Sequence, residues 1–223
     1  MPEMPSHFKA LFQSPLYGVV ARRVVLPWAL QGLRPSGEAL ELGSGGGAMA
    51  ARLLARFRDL RLVATDFDPE MVEATRRLLR PYGDRATAQA ADATALPFPD
   101  QRFDVVFAFA IFHHSGAWDR AIAEAVRVLR PGGRLVGYDV LEGAPMHGGR
   151  GHPRSEVAAA HSHHGSAGHG HQHEAEPEEV GKLIRSAQQL ERQLETLPLD
   201  GILVRRSPRG VAVRFLATRS APR

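Results

Sequence analysis

The chain contains no cysteine. This excludes disulfides, thiolate metal sites and covalent catalysis through a cysteine, and leaves the redox compartment open. Long apolar runs are missing too: stretches such as Val105–Phe112 fall far short of the roughly 20 residues a membrane-spanning helix needs. The N-terminal MPEMPSHFKALFQSPLYG has neither a basic start ahead of an apolar core nor a small-residue cleavage site. These absences predict a cytoplasmic protein without a membrane span. Acids are missing from the last segment, Gly201 to Arg223, which carries six arginines and no Asp or Glu. Those arginines alternate with Val, Phe and Leu as on the solvent face of an edge hairpin, so they are expected to serve solubility, and nucleic acid is not an expected partner.

What is present is enough for one core: 223 residues, 43% of them hydrophobic, fit a single α/β domain over 1–223. From Leu40 onward short Val/Leu-rich runs alternate with stretches of helical period, the pattern of a parallel sheet covered by helices. Gly37–Gly43, Arg61–Asp66, Thr87–Ala91, Phe103–Ala110 and Arg134–Val140 read as strands, and Ala48–Phe57, Pro69 to Pro81 and Trp118–Leu129 as helices, the last stopped by Pro131 and Gly132. Residues 1–36 read as a helical cap with a break at Pro27, whose Phe8, Leu11, Phe12, Leu16 and Tyr17 supply one apolar face. Residues 143–176, rich in Gly, His, Ser and Ala and holding eight of the eleven histidines, read as a flexible insertion. Val180, Leu183, Ile184, Ala187, Leu190, Leu194 and Leu197 then predict an amphipathic helix of about five turns, and Gly201–Arg206 and Val211–Arg219 a closing antiparallel hairpin.

The strongest local signal is Glu41-Leu42-Gly43-Ser44-Gly45-Gly46-Gly47, where a strand ends and a helix begins. Such a turn needs glycine so that the backbone can bend sharply and a ligand can approach where a Cβ would collide, while the helix start offers free N–H groups. Asp66, closing the second strand, is placed to accept from both hydroxyls of a ribose. Asp68 already suits the helix cap, which leaves Asp66 available. Both features fit more than one nucleotide cofactor, because Gly43-x-Gly45-x-x-Ala48 also satisfies the dinucleotide fingerprint.

Later segments separate the alternatives. Asp92-Ala93-Thr94-Ala95-Leu96-Pro97-Phe98, Phe103-Asp104-Val105-Val106, His113-His114, Glu124 to Gly133 and Arg134-Leu135 together resemble the successive motifs of class I S-adenosylmethionine-dependent methyltransferases, especially the ubiquinone/menaquinone-biosynthesis type. The resemblance covers roughly Ala39 to Asp139. It implies a Rossmann-like doubly wound sheet of strand order 3-2-1-4-5-7-6 with an antiparallel last strand, and S-adenosylmethionine as cofactor. It places Glu41 and Gly43, Ser44, Gly45 and Gly47 around the methionine part, Asp66 on the ribose, Phe67 against the adenine, Asp92 on the adenine amino group with Ala93 and Leu96 close to the ring, and Phe107 and Ala108 on the sulfonium side.

The expected acceptor is a small molecule with an apolar or aromatic body. His113, His114 and Asp139 lie at the ligand-bearing edge and are candidates for a general base where the acceptor must lose a proton. His161, His163, His164, His169, His171 and His173 are candidate ligands for zinc, nickel or copper, at spacings that match no closed zinc site. The competing readings are a methyltransferase acting on RNA or protein and a non-catalytic metal-handling protein on the same fold. The oligomeric state is left open.

Overall fold

The computed structural model describes residues 21–114, 116–141 and 184–221. A π-helical turn, Ala21–Val25, leads into helix α1 (Leu26–Leu30). The change of helix type comes where Pro27, which has no N–H to donate, was expected to interrupt the ladder. Then follow β1 (Gly37–Leu42), α2 (Ala48–Arg56), β2 (Leu60–Asp66), α3 (Pro69–Leu79), β3 (Ala86–Ala90), β4 (Phe103–Phe109), α4 (Trp118–Val128), β5 (Leu129–Val140), α5 (Ala187–Glu195), β6 (Leu199–Arg206) and β7 (Ala212–Arg219).

The seven strands form one sheet of order β3-β2-β1-β4-β5-β7-β6. β1 to β5 pair in parallel and β7 runs antiparallel to both β5 and β6, as the resemblance implied. Side chains alternate across the pleat. Leu40, Leu42, Val106 and Ala108 face one apolar layer with Trp118, Ile122, Leu190 and Leu194 from α4 and α5. Ala39, Val105, Phe107 and Phe109 face the other, with Leu26 and Leu30 of α1 and Leu53 and Leu54 of α2. Among the described residues no helix is long and apolar enough to cross a membrane.

Three elements depart from expectation. α5 spans nine residues rather than about five turns. Ser186 starts it: the Ser186 hydroxyl accepts from the N–H of Gln189, whose Oε1 accepts in turn from the N–H of Arg185, a near-reciprocal cap that overrides the apolar period running through it. Ile184 therefore precedes the helix and Leu197 follows it, while Val180 and Leu183 lie outside the described residues. β5 begins at Leu129, and Pro131-Gly132-Gly133 forms an irregularity within it, between the Phe103–Leu129 and Val105–Arg134 pairs.

The third departure concerns arginine. Arg214 donates to Trp28 O at the end of α1, and Arg219 donates to the carbonyls of Val126, Arg127 and Leu129 at the end of α4. Arg85 does the same for α2 through Leu54 O and Phe57 O. A cation on the unpaired terminal carbonyls satisfies them and complements the helix dipole. Two of the six tail arginines are thus capping groups, not members of a solvated face.

Candidate active site

The C-terminal ends of β1, β2, β4 and β5 converge on the crevice flanking the point where the chain reverses its order across the sheet, the usual ligand position in such folds. After β1 the backbone enters the left-handed region at Gly43, Gly45 and Gly47. A Cβ on Gly43 would stand 2.6 Å from Ile111 Cδ1, whereas one on Gly45 would meet nothing within 4 Å. The turn is thus closed on its inner side and open on the other. Ser44 N–H donates to Thr65 O, and the Thr75 hydroxyl donates to Gly45 O and lies 3.4 Å from the Ser44 hydroxyl.

Glu41, 1% exposed, is the penultimate residue of β1, two before Gly43, and its Oε2 has no hydrogen-bond partner among the described residues. Burial, then the charge of Asp66, pushes its carboxyl up to about 8, with the Ala50 backbone amide opposing. Asp66 accepts from Gly45 N at 2.7 Å and from Asp68 N at 3.0 Å, one bond to each oxygen. Burial raises its pKa, with those amides opposing. Two oxygens offer about four acceptor positions, so the carboxylate keeps acceptor capacity for a ligand beyond these amides. Asp68 caps α3 by accepting from Glu70 N, as expected. Phe67 beside it is 49% exposed, an aromatic face open to a ring.

Asp92 Oδ1 accepts from both the N–H and the hydroxyl of Thr94. Ala93 and Leu96 are buried in the α4-side layer. Phe107 and Ala108, expected on the sulfonium side, lie within β4, opposite Glu41 and Leu42 and fully buried. The first residue beyond the strand is Ala110, in a left-handed conformation with its N–H on Tyr138 O.

Two of the candidate bases meet. His113 Nδ1 lies 2.7 Å from Asp139 Oδ1, and the same carboxylate accepts from Phe112 N and Val140 N, each at 2.7 Å. The side chain of His114 lies outside the described residues. So do the six histidines from His161 to His173 and the apolar residues Phe8 to Tyr17. Among the described residues no group of three His, Cys, Asp or Glu is placed to hold a metal ion.

Sequence reasoning passed over Thr75 and the Glu124–Arg127 pair. Thr75 stands fully buried among Met71, Val72 and Leu79 on the inner face of α3, and a hydroxyl on an otherwise apolar stripe was the available signal. Glu124 and Arg127 bond one another three residues apart on α4, a spacing visible in the sequence, but their further partners in the Asp92–Asp100 loop were not.

A family model described as a methyltransferase domain matches residues 40–137. The demethylmenaquinone methyltransferase of Thermus thermophilus is 41% identical over 106 residues, 48% of this chain and 47% of that relative. The malonyl-[acyl-carrier protein] O-methyltransferase of Methylococcus capsulatus is 38% identical over 124 residues, 53% of this chain and 45% of the relative. The chain thus spans about half the length of the curated relatives it matches. Among solved structures, a SAM-dependent methyltransferase from Aquifex aeolicus superimposes with a TM-score of 0.67 over 97% of this chain and 100% of its own, at 16% identity, a likeness of fold alone. Sheet order and glycine turn agree with the family match: residues 40–137 carry a methyltransferase domain, on a seven-stranded sheet of the order the resemblance implied.

Proposed function

We propose that this chain transfers the methyl group of S-adenosylmethionine to a small acceptor with an apolar or aromatic body. The observation that carries this is the Glu41 carboxyl, buried two residues before the glycine turn with Oε2 unpartnered among the described residues. A buried polar atom left without a hydrogen bond costs about 1–3 kcal/mol, and the ammonium of a methionine moiety supplies the missing donor. Asp66 has lone pairs for ribose hydroxyls, Phe67 an exposed face for adenine, and Asp92 a second carboxylate oxygen for the ring's amino group. The donor set fits the cofactor.

When bound, S-adenosylmethionine supplies a methyl group already activated on a sulfonium, so the chain's main task is to hold acceptor and donor in line. Where the acceptor must lose a proton, His113 is the base. The Asp139 carboxylate accepts at Nδ1, so Nδ1 carries the hydrogen and Nε2 is the basic atom. Asp139 is fully buried and acts through His113, not on the acceptor. The apolar or aromatic body of the acceptor is carried over from relatives such as the demethylmenaquinone methyltransferase of Thermus thermophilus.

Incubation with methyl-labelled cofactor tests this against phenols and hydroquinones, an acyl-carrier-protein-bound acid and bulk RNA. Label is expected in an organic-extractable small molecule. Transfer to RNA at a rate matching any small acceptor would overturn the assignment.

A further inference from the structure

The loop from Asp92 to Asp100 has no regular secondary structure, yet it is anchored at both ends. Upstream, Ala91 N–H donates to Asp66 O, and the Asp92 turn is closed by Thr94 and by Ala95 N–H on Asp92 O. Downstream, the anchor is a side-chain pair on α4. Glu124 Oε2 accepts from Leu96 N–H at 2.8 Å. Arg127 donates from Nε to Glu124 Oε1 and from Nη2 to Glu124 Oε2, from Nη2 also to Leu96 O, and from Nη1 to Phe98 O and Asp100 Oδ1. Those contacts use every one of the five N–H donors a guanidinium has. Leu96 is thereby held through both its N–H and its carbonyl, four residues after Asp92. The hydrogen bonds from Arg127 lower the pKa of the Glu124 carboxyl.

We infer that Glu124 and Arg127 are positioning residues that fix the Asp92 carboxylate against the cofactor's base, and so set the preference of the site for adenine over its 6-oxo counterpart. The inference rests on the proposed cofactor site. Its physical basis is that a carboxylate discriminates an amino group from a carbonyl only when it cannot move away. Facing a 6-oxo base it meets acceptor with acceptor, and a loosened loop relieves that clash while weakening the amino contact. Lysine cannot replace Arg127, because an ammonium has three donors and no planar fork.

The test is calorimetric titration of the full chain with S-adenosylhomocysteine and with S-inosylhomocysteine, for wild type, Arg127→Lys, Glu124→Gln, Asp92→Ala and the Asp92→Ala/Arg127→Lys double variant, with thermal melts showing which variants fold. Wild type is expected to prefer the adenosyl ligand. Arg127→Lys and Glu124→Gln should weaken it about tenfold, the scale of one good hydrogen bond, and weaken the inosyl ligand by less than about threefold, so the preference shrinks. With Asp92 already removed, Arg127→Lys should change the preference no further, as coupled residues require. Equal weakening of both ligands, or an unchanged preference in whichever of Arg127→Lys and Glu124→Gln folds, would overturn the positioning role. Wild type that binds neither ligand would overturn the cofactor site itself.

Discussion

His113 Nδ1 sits 2.7 Å from Asp139 Oδ1, although 26 residues separate them in the chain. The contact joins the short turn after β4 to the end of β5, and it fixes which ring nitrogen is basic. If the acceptor must be deprotonated, His113→Ala should lower kcat by about 10²–10⁴, the usual contribution of a general base, and leave the Kd for S-adenosylhomocysteine unchanged. Steady-state kinetics beside calorimetry separate the two. Full activity of a folded His113→Ala protein would remove the base.

Glu41 makes stability depend on pH. Its carboxyl ionises near 8 in the folded chain against an ordinary 4.5, so the unfolded state loses its proton first. Its contribution is fully present below about pH 4.5 and is lost as pH rises through about 8. Glu41→Gln should match wild type in melting temperature near pH 4.5 and exceed it by several degrees at pH 8.5. The same variant should bind S-adenosylhomocysteine about tenfold more weakly, because an amide cannot ionise beside the ligand's ammonium as a carboxyl can. A melting curve that falls in parallel with wild type across this range would show that the buried carboxyl is not the cause.

Asp66 holds the site together as well as facing it. Replacing it with alanine leaves Gly45 N–H and Asp68 N–H without their acceptor, and the turn after β1 should loosen along with the loss of the proposed ribose contact. Cofactor binding should weaken by about 1–3 kcal/mol, and the melting temperature should fall as well. Affinity equal to wild type would take Asp66 out of the proposed site.

The histidines His161 to His173 carry a prediction from sequence alone. Replacing residues 147–173 with a short Gly/Ser bridge should abolish nickel or zinc retention and leave S-adenosylhomocysteine binding intact. In the intact chain, retention should fall below about pH 6 as the imidazoles protonate. Methyl transfer that depends strictly on added metal would contradict this.

Much of the candidate site's backbone geometry was legible because its signals are local. The three alternating glycines and the strand-ending Asp66 state their geometry within a few residues, and the closing hairpin followed from period two and a Pro-Arg-Gly turn. What was hidden depends on contacts distant in sequence. The pairing of His113 with Asp139 needs the β4–β5 register. Arg214 and Arg219 look like a solvated face until β7 sets them against the ends of α1 and α4. The true start of α5 was local but masked, because the apolar period continues through Ser186 and the cap outweighs it.

Side-by-side calorimetric titration of the full chain with S-adenosylhomocysteine and with oxidised and reduced nicotinamide dinucleotides tests the central claim most directly. Saturable binding of one S-adenosylhomocysteine per chain, with no comparable heat from any nicotinamide dinucleotide, is the predicted result. A folded protein that leaves S-adenosylhomocysteine unbound, or that binds a nicotinamide dinucleotide as tightly, would contradict it.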